Sequence, residues 1–139
     1  MKSRLDNLLK QVEKPARYIG GEYNIAVKNP EDVKTRFAFA FPDLYEIGMS
    51  YMGLQVLYHN LNKEDDIYCE RVFAPAADME ALMKENEIPL FTLETKTPVK
   101  ELDFFGFTLQ YEMSFTNILN MLDMAQIPLL AKERSEDDP

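Results

Sequence analysis

The chain has 139 residues, enough for one domain with a real core, and its 46% hydrophobic and 28% charged fractions are those of an ordinary globular protein, not a disordered one. Fifteen basic against 24 acidic side chains give a net charge of -9, which repels phosphate backbones and anionic headgroups and excludes nucleic acid as a first expectation. No apolar run approaches the roughly 18 residues of a membrane span. The charged start MKSRLDNLLKQVEK lacks the apolar block of a secretory signal, so a cytoplasmic address is expected.

In chain order, Ser3 followed by Leu5, Leu8, Leu9 and Val12 predicts a capped helix with one apolar stripe, ended by Pro15. Residues 15–32 carry turn signals at Gly20-Gly21 and Asn29-Pro30 around a short strand expected at 23–27. Residues 1–30 therefore read as a lead-in and 31–139 as the α/β domain. Residues 36–41, RFAFAF, read as a buried strand. A helix is expected at 50–61 behind a serine cap, with Leu54, Leu57, Tyr58 and Leu61 at helical spacing.

A second strand is expected at 67–73, then a helix capped by Asp78 and carrying Met79, Leu82 and Met83. Third and fourth strands are expected at 90–93 and 104–109. Ser114 then caps a last helix with Phe115, Ile118, Leu119, Leu122 and Ala125 on one face. Strands alternating with helices predict a doubly wound, mainly parallel α/β sheet, flavodoxin-like or Rossmann-like, with flanking helices. Nothing after the last helix supplies the further strand such a sheet normally has, so a sheet truncated on its C-terminal side is expected, part of a longer protein. Its unpaired edge could pair two copies into a homodimer.

Chemistry is sparse. Cys69 is the one cysteine, so no disulfide forms within the chain, and one thiolate cannot hold a structural zinc or an iron–sulfur cluster. It reads as a small buried hydrophobe. His59 has no Cys, Asp or Glu three or four residues away and reads as a structural histidine. No GxGxxG, GxxxxGK[ST], receiver-type acidic cluster or nucleophilic triad can be assembled.

In open parallel sheets ligands bind beyond the carboxyl ends of the strands. Two loops there are polar: PDLYEIGMS, with Asp43, Tyr45, Gly48 and Ser50, and TLQYEMS, with Thr108 and Ser114. The same residues serve equally well as turn, cap and packing groups. Both readings stand at the level of the residues.

The string Asp43-Leu44-Tyr45-Glu46-Ile47-Gly48 resembles the DxHxxG signature of cobalamin-binding domains, with tyrosine in place of the histidine that takes the lower face of the cobalt. A phenol of pKa near 10 gives up its proton reluctantly, so a histidine-type ligation is not expected. Thr108-Leu109 loosely matches the Ser-x-Leu of that signature, and its Gly-Gly is absent.

Over residues 8–130, segments such as KPARYIGGEYN, RFAFAFPDLYEIGMSYMGLQVLYHNLN, CERVFAPAADMEALM and GFTLQYEMSFTNILNMLDMAQIPLL resemble the N-terminal region of a family of radical S-adenosylmethionine proteins with a cobalamin-binding-like domain in front. That resemblance implies a continuation into a barrel whose CxxxCxxC holds a [4Fe-4S] cluster and binds S-adenosylmethionine, with the barrel of the parent chain as partner. It also implies that Asp43, Tyr45, Gly48, Ser50, Thr108 and Ser114 would face any cobalamin. The competing expectation is a cofactor-free α/β scaffold or interaction module, and in neither is this chain catalytic on its own.

Overall fold

The computed structural model describes residues 2–139, and the side chains of Lys2 and Ser3 lie outside the described residues, as does the expected Ser3 cap with them. Helix α1 spans Lys2–Leu9, strand β1 Thr35–Phe41, helix α2 Tyr45–Met49, helix α3 Met52–Asn62 and strand β2 Ile67–Phe73. Helix α4 then spans Ala77–Glu85, strand β3 Phe104–Phe107 and helix α5 Phe115–Met124. The three strands are parallel in the order β2-β1-β3. The chain steps from β1 to β2 on one side and returns past β1 to β3 on the other, which makes the doubly wound α/β plan.

The alternation in β1 decides which helix goes where. Phe37, Phe39 and Phe41 face α3 and form one cluster with Leu54, Tyr58 and Cys69. The intervening Ala38 and Ala40, fully buried, face the other way into a larger cluster with Leu5, Leu8, Val72, Met79, Met83, Met121 and Leu122. Small residues on that face let α4 and α5 approach closely, while phenylalanine fills the space under the single helix α3. No described helix is long and apolar enough to cross a membrane.

Five expectations are corrected. Residues 23–27 form no strand: Tyr23 and Val27 are exposed, and Ala26 gives its backbone N–H to the Tyr58 hydroxyl and accepts the Tyr68 hydroxyl on its carbonyl. The helix expected at 50–61 is two helices, because Ser50 ends α2, donating its Oγ back to the Glu46 carbonyl at 2.6 Å, and does not cap α3.

Asp78 lies inside the first turn of α4 behind Ala76, its carboxylate accepting the Met79 and Glu13 N–H groups, and Ser114 stands at the start of α5 without a side-chain capping bond. Residues 90–93 do not join the sheet as a strand. They make one antiparallel bridge, Phe91 with Pro98, and the chain reverses through Lys96 at φ 63.

Candidate functional site

The loops that leave β1, β2 and β3 are knitted together by main-chain polar groups. The Asp43 carbonyl accepts the Ala74 N–H at 3.0 Å, and Asn117 of α5 donates its Nδ2 to the Pro42 carbonyl at 2.8 Å. A shallow depression of about 270 Å³ opens between them, lined by Asp43, Ala76, Glu80, Asn117 and Asn120.

Each expected site residue has a place in this rim. The Asp43 carboxylate accepts the N–H of the next residue, Leu44, at 2.7 Å, a local turn bond. Tyr45 donates its hydroxyl to Glu22 at 2.7 Å. Burial, reinforced by that carboxylate, pushes the phenol up to about 12, so it stays protonated at neutral pH. Gly48 is packed against the Phe73 ring, and a Cβ there would collide with that ring, so the glycine makes room for the protein's own side chain. Ser50 is engaged with Glu46, as above. The Asp43, Tyr45 and Ser50 groups do not fit a lower-face ligand or tail donor for cobalamin.

The second loop differs. Thr108 closes β3 by donating its N–H to the Ala40 carbonyl at 3.0 Å, and its Oγ1 is buried with no hydrogen-bond partner. Ser114 is buried, its N–H bonded to the Tyr111 carbonyl. Around them Leu109, Tyr111, Met113 and Phe115 are exposed. Thr108 and Ser114 are thus turned inward, and the exposed apolar side chains stand beside the exposed Gln110 and Glu112.

Sequence reasoning missed the polar centre behind Tyr45. Glu22 also receives the Arg71 guanidinium at 2.9 Å, and Arg71, 2% exposed, bonds Glu94 through Nε at 2.7 Å and lies 4.7 Å over the Tyr58 ring. Burial pushes the Glu94 carboxyl up against the pull of Arg71. On the other face Glu70, wholly buried, accepts Arg36, Thr92 and Thr95. The signal available was a Glu-Arg pair inside the otherwise apolar strand IYCERVF, since buried charges need partners. Among the described residues no three His, Cys, Asp or Glu side chains gather to hold a metal ion. Burial also raises the Cys69 thiol to about 12, leaving it protonated, and His59 is exposed on α3.

Residues 53–139, from the start of α3 through α5 to the last residue, match the family model described as radical SAM proteins, N-terminal. The chain belongs to that family. No curated protein and no solved structure matches it. As a radical SAM N-terminal domain it contributes an α/β layer structure, while β1 and the Asp43–Gly48 rim lie outside the matched stretch.

Proposed function

We propose that this radical SAM N-terminal domain is an accessory docking module that presents the β3–α5 end of its rim to the cluster-bearing part of a radical enzyme and holds no cobalamin through a protein ligand. One observation carries the reading: the polar groups of the first rim loop are engaged within the chain, by Glu22, Leu44 and Glu46, while in the second loop Leu109, Tyr111, Met113 and Phe115 stand exposed beside Gln110 and Glu112. An exposed apolar patch beside a polar rim is the usual mark of an interaction surface. The [4Fe-4S] cluster and S-adenosylmethionine belong to the partner barrel in this reading, since Cys69 is one buried, protonated thiol.

A second reading, a corrinoid held without a protein ligand to its metal, is favoured by the buried, unbonded Oγ1 of Thr108, the residue at the position of the serine loop in cobalamin-binding domains. Incubation with hydroxocobalamin followed by gel filtration separates the two. The docking module elutes colourless. Corrin absorbance that stays with the protein, and is lost in Thr108→Val, overturns the docking reading in favour of the second.

A further inference from the structure

The two edges of the sheet are in different states. At the β2 edge three of the four outward-facing residues have partners from outside the strand: Lys28 and Glu64 at Ile67, Asn62 at Cys69, Glu94 and Leu93 at Arg71. At the β3 edge, Thr108 bonds inward to β1, so by the alternation of a parallel strand the N–H and C=O groups of Phe105 and Phe107 point away from it. Among the described residues nothing bonds them.

Apolar side chains flank this open edge on both faces. On the α3 side Phe104 stacks on Phe37 at 6.0 Å and is 54% exposed. On the other side, α5 turns Ile118, Met121 and Ala125 to the core and Asn120 to Glu80 and Lys84 of α4. At about 100° per residue, Phe115 and Leu119 fall on the opposite flank, away from α4 and over the space beyond β3. Both are about half exposed. The stretch 101–131 that builds edge and flank carries Glu101, Asp103, Glu112 and Asp123 and no Lys, Arg or His.

From this geometry we infer that the β3 edge takes an added β-strand from the cluster-bearing partner, apolar towards Phe115 and Leu119 and flanked by Lys or Arg. Main-chain bonds to Phe105 and Phe107 supply the register, and the excess of acidic over basic groups around the edge, where Lys100 is paired with Asp138, supplies the charge preference. A second copy is disfavoured, because each chain carries -9 and the same acidic stretch would meet itself. The inference rests on the docking reading and narrows it to one edge and one partner chemistry.

The test uses two synthetic strand peptides of alternating Val and Thr, one with lysines at both ends and one with glutamates. Expected are binding of the lysine peptide at least about tenfold tighter than the glutamate peptide, weakened by salt, and slowed amide exchange at Phe105 and Phe107. Leu119→Lys should lower that affinity about tenfold, while Val56→Lys, on the exposed side of α3, should leave it unchanged. Equal affinity for the two peptides, no binding, or protection confined to β2 overturns the inference. So does a dimer, seen by sedimentation, that protects Phe105 and Phe107 without peptide. Retained corrin in the hydroxocobalamin experiment sinks the docking reading, whereas peptide failure with a colourless protein sinks only the edge assignment.

Discussion

The β2 and β3 edges belong to one small sheet and are finished by different means. β2 ends in side chains that imitate a neighbouring strand: Asn62 offers its amide to both the N–H and the C=O of Cys69, each at 3.0 Å, and the Glu94 carboxylate takes the Arg71 N–H at 2.7 Å. β3 ends in bare backbone between Phe104 on one face and Leu119 on the other. Edge strands invite pairing with other chains, and proteins block those they do not use. In the docking reading, the edge covered by Asn62 and Glu94 is the side kept from pairing, and the open, apolar edge is the side offered to a partner.

The largest expected effect comes from removing the ion pair beside the β2 edge. Arg71→Ala leaves Glu94, with its side chain 1% exposed, without its counter-charge and held only by the backbone N–H of residue 71; a loss of about 3–5 kcal/mol is expected. Urea denaturation measures it. Because burial already pushes the Glu94 carboxyl up, the variant should regain stability as pH falls and Glu94 protonates. The double variant Arg71→Ala with Glu94→Gln should recover part of the loss, and no recovery would show that the stranded Glu94 charge is not its source.

A narrower lesion isolates the imitation of a strand. Asn62→Ala strands the Cys69 N–H and C=O, with an expected cost of about 2 kcal/mol and faster amide exchange at Cys69. It also opens the covered edge at Cys69. Concentration-dependent association that appears in Asn62→Ala and not in the parent chain would confirm what the amide prevents.

How much of this was legible in the sequence follows from where each element finds its partners. The strand RFAFAF and the helices after it were readable because alternation and helical spacing are local, and the strand–helix rhythm gave the parallel doubly wound plan. Residues 90–93, LFTL, have the composition of a strand but lie beside β2 where the next carboxylate, Glu94, occupies the main-chain donor. Nothing local announces that substitution.

The rim after β1 was likewise readable as a strand end with Asp43 and Gly48, following the rule for open sheets. Its chemistry was not, because the partner of Tyr45 is Glu22, which reaches it from the Gly20-Gly21 turn, and the ring beneath Gly48 is Phe73 from the next strand. The strand expected at 23–27 failed for a related reason: that stretch has no strand to pair with, and Tyr58 and Tyr68 hold it in place.

The smallest expected effect tests whether the closed edge and the rim are one unit. Tyr45 donates to Glu22 Oε1, and the other oxygen of Glu22 accepts from Arg71, so the phenol braces the ion pair at one remove. Tyr45→Phe removes one hydrogen bond to a charged group, for which about 1 kcal/mol is expected after allowing for partial exposure. The pH dependence gives a sharper signature. Folded, the phenol titrates at about 12, and unfolded near 10. Between those values the native chain keeps a proton the unfolded chain has lost, so its contribution is complete below pH 10 and declines as pH rises towards 12. Tyr58, Tyr68 and Cys69 are also raised and remain in the variant, so alkaline unfolding persists. Its slope with pH should nevertheless be shallower in Tyr45→Phe than in the parent. An unchanged slope would mean that Glu22 holds Arg71 without the phenol, and that the closed edge stands independently of the rim.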